Sequence, residues 1–361
     1  MDPYDVSLVP PPFGQTNTGA VCYFNSLWQM LIGCPAFARA VLSTPLPENA
    51  SRTAIAVREF VEAYTAASAA SSAASSAAAV PAAGTTAVLH ALMADLRERR
   101  QDSVARFGAG QESASEALLL LLDMMDPPDS ASAAPSAAAS AAPKPISAVT
   151  RLFRHRYACT LRCFECRRDV SQTTDHAVNF NLFHMDHLSG ASGAITTPAA
   201  FSKALRSIVE PVTDYRCPKC KSAQVTRAAR VYSLKMIPEI LFCSFNLYDG
   251  LGGRFAGHRA RYFPESVRIP AAAGGDYVFR LVGQVEHSGG LGGGHYWARG
   301  LRATSASASA SASASATASA TASAKVFMLN DSHVSPAQFG PSPNTYIIVY
   351  NYEGVDSSAA K

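Results

Sequence analysis

Gly14-Gln15-Thr16-Asn17-Thr18-Gly19-Ala20-Val21-Cys22-Tyr23-Phe24-Asn25-Ser26-Leu27 passes from a polar, glycine-bearing loop into a run with helical apolar spacing that continues to Leu31. A cysteine at that junction opens a helix, where the macrodipole favours a thiolate over a thiol. Far downstream the chain reads His287-Ser288-Gly289 and then Gly294-His295-Tyr296. A thiol enzyme needs a cysteine at such a position and a histidine to take its proton. One free cysteine is more often a small buried hydrophobe than a nucleophile, so the remaining residues decide between the two.

Composition narrows the classes. The chain has 361 residues, enough for one large domain or two ordinary ones, and its 48% hydrophobic content is inflated by Ala/Ser tracts. A net charge of +4 without a dense Lys/Arg block is no nucleic-acid signature. Met1-Asp2-Pro3-Tyr4-Asp5 lacks the basic and apolar regions of a signal peptide. Ala117-Leu118-Leu119-Leu120-Leu121-Leu122 is too short to span a bilayer and stops at Asp123. Eight cysteines, four of them in two Cys-x-x-Cys pairs, suit metal binding in a reducing compartment better than a disulfide framework. The expectation is a soluble intracellular protein, cytoplasmic or nuclear.

Tracts at about 66–83, 128–145 and 303–324 interrupt the globular pattern. The last is a Ser-Ala repeat with scattered Thr and no apolar stripe, expected as a disordered surface loop. The earlier two are expected as loops that continue helix ends. Thr86–Arg100 reads as a helix with Val88, Leu89, Leu92, Met93 and Leu96 on one side, and Ser113–Met125 as a second helix ended by Pro127-Pro128. Strand composition follows at 178–182, 229–234, 240–245, 277–285, 326–329 and 346–350. Helices first and strands later predict an α+β chain.

Several residues carry chemistry. His295 sits in Gly292-Gly293-Gly294-His295-Tyr296-Trp297-Ala298, a glycine-rich turn opening a strand, and is the expected base for Cys22. Asn17 has an amide able to donate to a developing oxyanion, together with backbone N–H groups near Cys22. An Asn in a loop also commonly bonds its own backbone. Cys163-Phe164-Glu165-Cys166 and Cys217-Pro218-Lys219-Cys220 supply four thiolates, a complete tetrahedral shell for structural Zn²⁺. Cys34, Cys159 and Cys243 read as buried free thiols.

The two boxes resemble those of the ubiquitin-specific protease family of deubiquitinases, papain-like cysteine peptidases. The family's cysteine box, Gly-Leu-x-Asn-x-Gly-Asn-Thr-Cys-Tyr-x-Asn-Ser, is kept at Gly14, Asn17, Gly19, Cys22, Tyr23, Asn25 and Ser26, and departs at Gln15 and Ala20-Val21. Its histidine box, His-x-Gly-x4-Gly-His-Tyr, is matched at His287, Gly289, Gly294, His295 and Tyr296.

The resemblance implies a helical thumb at about 14–150, zinc-bearing β fingers at about 155–235 and a β-rich palm at about 236–353. Residues 1–13 would be an N-terminal extension and 354–361 a tail, around one catalytic domain at 14–353. It implies Asn330 as third member of a triad with Cys22 and His295, with Asp331 as a polar supporter. His287 would lie in a loop bordering the cleft, with Tyr296 beside it. Gln111-Glu112-Ser113-Ala114-Ser115-Glu116 partly matches a box whose acids grip the arginines of the ubiquitin tail. Glu112 and Glu116, expected four apart on one helical face, would do so here beside Gln111. The implied activity is hydrolysis of the peptide or isopeptide bond after the C-terminal Gly-Gly of ubiquitin. Ubiquitin and ubiquitinated proteins would be the partners of a monomeric chain, with no nucleic acid and no membrane. The rivals are an inactive ubiquitin-binding protein, a protease for a ubiquitin-like modifier, and a zinc-ribbon nucleic-acid binder.

Overall fold

The structure, a computed structural model, describes residues 5–73, 83–99, 110, 112–127, 146–178, 182–184, 197–220, 227–245, 247–248, 262–271, 274–290, 293–304 and 323–357. The helices are α1 (Cys22–Ile32), α2 (Pro35–Ser43), α3 (Arg52–Ala73), α4 (Ala83–Arg99), α5 (Ala114–Met125), α6 (Ala148–Phe153) and α7 (Pro198–Arg206). The first strands are β1 (His155–Cys163), β2 (Asp169–Val178), β3 (Leu182–His184), β4 (Ser207–Val212), β5 (Ala228–Met236) and β6 (Ile240–Ser244). Then come β7 (Ser266–Pro270), β8 (Asp276–Gly290), β9 (Gly293–Thr304), β10 (Ser323–Asn330), β11 (His333–Pro336) and β12 (Thr345–Asp356). Among the described residues no helix is long and apolar enough to cross a membrane.

The chain folds as two compact units. The first comprises Met1–Leu152, Gly250–Gly253 and Val282–Phe339. Every residue of α1 is buried, and its polar side chains are met by hydrogen bonds, Asn25 to Asp331, Ser26 to the Tyr23 carbonyl and Gln29 to the Phe13 carbonyl. Trp28 stacks on Phe24 and meets Phe37 and Phe60 edge-on, and Phe60 continues the cluster to Tyr64 and Phe13. The helices around it are tied by buried polar bonds: Asp95 accepts from the Thr53 amide and hydroxyl, joining α3 to α4, and Ser51 donates to the Met124 carbonyl, joining α3 to α5.

Against α1 lie β9 and β10, in the antiparallel run β11-β10-β9 that the Val282–Gly290 part of β8 continues. Gly283 and Gly300 face one another across β8 and β9. A Cβ on Gly283 would meet the Met30 sulfur at 2.2 Å, so glycine here lets the helix lie flat on the sheet. The side chain of Arg302, near the end of β9, is fully buried and donates to the carbonyl and side-chain oxygens of Gln29 on α1. The helix that begins at Cys22 and the strand that carries His295 are thus fixed to one another.

The second unit comprises Phe153–Asp249, Arg254–Leu281 and Gly340–Lys361. It holds the sheet β2-β1-β5-β4 and a run of β3, β6, β12 and the first part of β8, with β7 on β8. Phe201 of α7 packs on Tyr350, and Tyr157 donates its hydroxyl to the Leu205 carbonyl.

Several expectations shift. Part of the N-terminal extension is packed: Val9 is fully buried and Pro10 accepts from the Ala303 amide. The Ser-Ala tract is not loop from end to end, since Ala303 and Thr304 pair with Ala324 and Ser323, leaving 305–322 outside the described residues. The strand expected at 178–182 is β2 ending at Val178, with 179–181 outside the described residues, and β12 carries the chain into the expected tail as far as Asp356. The first Ala/Ser tract starts inside α3, where alanine's helix preference prevails; the remainder of it and of 128–145 lies almost wholly outside the described residues.

Candidate active site and cysteine cluster

Cys22 is the first residue of α1, only 3% exposed. The loop before it depends on a close approach: Gly14 lies so near the Ser332 backbone that a Cβ would fall 2.5 Å from its carbonyl oxygen. The Gln15 amide donates to the Asp331 carbonyl at 2.8 Å, and its buried side chain donates to Thr85 at 2.7 Å. That second bond accounts for glutamine where the family has leucine: the site is buried but has a hydroxyl to meet.

His295 and Asn330 come together. Nε2 of His295 lies 2.6 Å from Oδ1 of Asn330, at the end of β10. An amide oxygen accepts, so this bond places the imidazole proton on Nε2 and leaves Nδ1 to receive one. Asp331, in the left-handed turn after Asn330 (φ +48°), is 4.0 Å from Nε2. Its carboxylate takes Asn17 Nδ2 at 2.9 Å and Asn25 Nδ2 at 2.8 Å. The Asn17 carbonyl oxygen accepts from the backbone of Gly19 and Val21 at 3.1 and 3.4 Å. Asn17 therefore bonds its own backbone, as loop asparagines do, and spends one amide hydrogen on Asp331. The other hydrogen is the one available to an oxyanion.

The expected depression of the Cys22 pKa is not found. Burial pushes the thiol up, and the Asp331 carboxylate adds to this; backbone N–H groups of Tyr296, Tyr23 and Cys22 pull it down but do not prevail. A helix terminus acts over one turn with partial charges, and near-complete loss of water outweighs it.

The four knuckle cysteines also converge. Their sulfurs lie within 4.8 Å of one another, with Cys163–Cys220 at 3.5 Å and Cys166–Cys217 at 3.9 Å. Thiolates around tetrahedral zinc sit about 3.8 Å apart, given a Zn–S bond of about 2.3 Å. The backbone N–H of Cys166 holds the Cys163 thiol down to about 6, while burial and the neighbouring sulfurs push Cys220 up to about 12. Thiols this close cannot all ionise unless a cation joins them, so the donor set fits a metal such as zinc. Cys34, Cys159 and Cys243 are buried and take part in no disulfide, as expected.

The sequence profile of the ubiquitin carboxyl-terminal hydrolase family matches residues 13–350. The chain belongs to that family. It is a cysteine-type ubiquitin hydrolase with the family's fold. Solved structures with this fold include the SAGA DUB module of Ubp8, Sgf11, Sus1 and Sgf73 bound to monoubiquitin. That match has a TM-score of 0.64 and 17% identity, over 99% of this chain and 71% of the other. The same module bound to ubiquitin aldehyde gives 0.61 and 15%, over 98% and 72%, and a yeast SAGA DUBm structure gives 0.63 and 15%, over 98% and 71%. At these identities the likeness concerns the fold. No curated protein matches the chain in sequence.

In this hydrolase the residues expected to bind the ubiquitin tail are rearranged. Ser113 caps α5, its hydroxyl accepting from the Glu116 amide at 3.4 Å. Glu112 therefore precedes the cap and does not share a helical face with the exposed Glu116; Gln111 lies outside the described residues. Ser caps a helix as well as the family's Asp, which explains the exchange locally. Glu112 stays near the nucleophile: burial first, then its charge, raises the pKa of Tyr23.

His287 is not in a loop. The β8–β9 ladder continues to Gly290 and Gly293, so His287 pairs with Tyr296, ring on ring at 4.1 Å. Both are buried, His287 at 3% and Tyr296 at 6%, which suits packing under the site rather than substrate contact. Sequence reading gave no role to Asn25, a second holder of Asp331. Its signal was an amide in a mostly apolar helix, shared with Gln29 one turn on.

Proposed function

We propose that this hydrolase cleaves the peptide or isopeptide bond after the C-terminal Gly-Gly of ubiquitin, with Cys22 as nucleophile, His295 as base and Asn330 as its orienter. The observation that carries the reading is the His295–Asn330 bond at 2.6 Å in a cluster with the N-terminus of α1. The thiol proton passes to Nδ1 of His295 and the sulfur attacks the carbonyl. The tetrahedral oxyanion takes the second amide hydrogen of Asn17 and backbone N–H near Cys22. His295 returns the proton to the departing amine, leaving a thioester. Water, deprotonated by His295, then hydrolyses the thioester and frees the ubiquitin carboxylate. Asp331 keeps Asn17 and Asn25 in place.

Cys163, Cys166, Cys217 and Cys220 would hold Zn²⁺ as a structural ion, which closes the end of β1 against the chain after β4. Glu116 and Glu112 remain the candidates for the basic ubiquitin tail. Ubiquitin-conjugated proteins would be the substrates, and an intracellular compartment fits cysteines that form no disulfide. Ubiquitin carrying a C-terminal electrophile tests the reading: wild type should form an adduct at Cys22. Absence of that adduct in folded protein would reject the assignment.

A further inference from the structure

Glu286 is a carboxylate with 1% side-chain exposure that the cleavage mechanism does not use. Burying it costs free energy unless its oxygens are met. Trp297 donates Nε1–H to its Oε2 at 2.7 Å, and Arg299 Nε forms an ion pair at 3.0 Å. The ladder accounts for this grouping. Glu286 pairs with Trp297 and Ser288 with His295, and residues two apart on a strand share a face. His295, Trp297 and Arg299 therefore line one side of β9. The imidazole of His295 lies nearly parallel to the indole of Trp297, 6.1 Å between centroids and 22° between planes.

His295 needs such support. Its side chain is 41% exposed, and its partner Asn330 is a neutral amide, whose hydrogen bond is about half as strong as a carboxylate's. One bond at Nε2 fixes a point on the ring but leaves rotation about it. The indole supplies a flat wall beside the ring. An indole on a half-exposed strand position would itself rotate unless its N–H were anchored, and Glu286 anchors it. Arg299 also donates to the Gln338 carbonyl at 2.9 Å, so the group is held from both sides.

We propose that Glu286 and Trp297 form a positioning pair for His295: the buried carboxylate locks the indole, and the indole face sets the plane of the imidazole. This rests on His295 being the base. The pair touches no reacting atom and acts only through the ring it orients.

Glu286→Leu, Trp297→Ala and the double variant test it by two readouts. One is turnover of a ubiquitin-based fluorogenic substrate; the other is iodoacetamide alkylation of Cys22, which needs proton transfer to His295 but no ubiquitin. Each single change should lower kcat about 10- to 100-fold, the scale of a small misplacement of a catalytic group, with KM within about twofold. The double variant should be no slower than the worse single, since one residue works through the other. Glu286→Gln, which keeps an acceptor for the indole, should recover part of the loss. If Trp297→Ala does not fold, Trp297→Phe keeps a wall without the anchor and should lose about as much as Glu286→Leu, with no further loss when the two are combined. Losses that multiply in the double variant, or that appear in KM or in the titratable fraction of Cys22, would overturn the proposal. A wild type that ignores ubiquitin but shows the same non-additivity in alkylation would reject the deubiquitinase reading and leave the pair standing.

Discussion

Cys22 and Cys163 are both buried thiols at the end of a secondary-structure element, and the protein shifts them in opposite directions. Cys22 is pushed up by burial and by Asp331, despite three backbone N–H groups and a helix N-terminus. Cys163 is held down to about 6 by the N–H of Cys166, with further help from Glu165 and the facing sulfurs. The difference shows that position in an element does not set the direction of a thiol's shift; desolvation weighed against the donors and charges within a few ångströms does. One thiol is kept neutral until a base takes its proton, and the other is prepared for a cation.

The sharpest break would come from deleting either half of the catalytic pair. Cys22→Ala should remove turnover and adduct formation entirely, and His295→Ala should reduce turnover by about a thousandfold or more. Steady-state kinetics with active-site titration measures both; residual turnover within tenfold of wild type in Cys22→Ala would sink the comparison at its first member. The second member is probed by elemental analysis and thermal unfolding. The purified protein should contain one zinc per chain, and Cys163→Ser with Cys166→Ser should lose it. Structural zinc contributes about 10–16 kcal/mol in small finger peptides, so that double change should unfold the β2-β1-β5-β4 sheet. No zinc in the wild type would refute the claim.

Asp331→Asn sharpens the comparison at smaller scale. Since the carboxylate raises the Cys22 pKa, its loss should move the alkylation profile of Cys22 to lower pH, while an unchanged profile would leave burial as the sole cause. Turnover should nonetheless fall about 10-fold, because Asn17 and Asn25 both donate to the two carboxylate oxygens and an amide accepts at one only. A more reactive thiol in a slower enzyme is the signature that positioning, not thiolate content, limits this site.

What the sequence disclosed follows the same division. Cys22 and His295 stood out because each lies at a junction with its own local signal, a helix start and a glycine run. The two Cys-x-x-Cys pairs were legible for the same reason. Asn330 was singled out by the family resemblance, and the structure places it 2.6 Å from His295. Contacts that depend on strand register were not. Nothing local says that Glu286 faces Trp297, that Gly283 and Gly300 clear a path for Met30, or that His287 is stacked within a ladder rather than held in a loop. The Glu112–Glu116 expectation failed by one residue, since a cap at Ser113 starts the helix just after Glu112. Boundaries of that kind turn on a single hydrogen bond.

The smallest effect lies in the loop that leads to Cys22. Ala20 is exposed at φ +45°, next to Gly19 at +117°. A non-glycine residue in the left-handed region costs about 1–2 kcal/mol, and asparagine is tolerated there better than alanine. Ala20→Gly would relieve the strain but add freedom to the unfolded chain, worth about 0.4–1 kcal/mol in the other direction. Ala20→Asn keeps the side chain's restriction and accepts the backbone angle. It should therefore be the more stabilising of the two, by about 0.5 kcal/mol. Urea unfolding of the three proteins at one pH measures the order. If glycine comes out ahead, strain relief outweighs chain entropy at this turn. If both variants are less stable than wild type, Ala20 is not held in the left-handed region, and the loop's geometry ahead of the nucleophile must be redrawn.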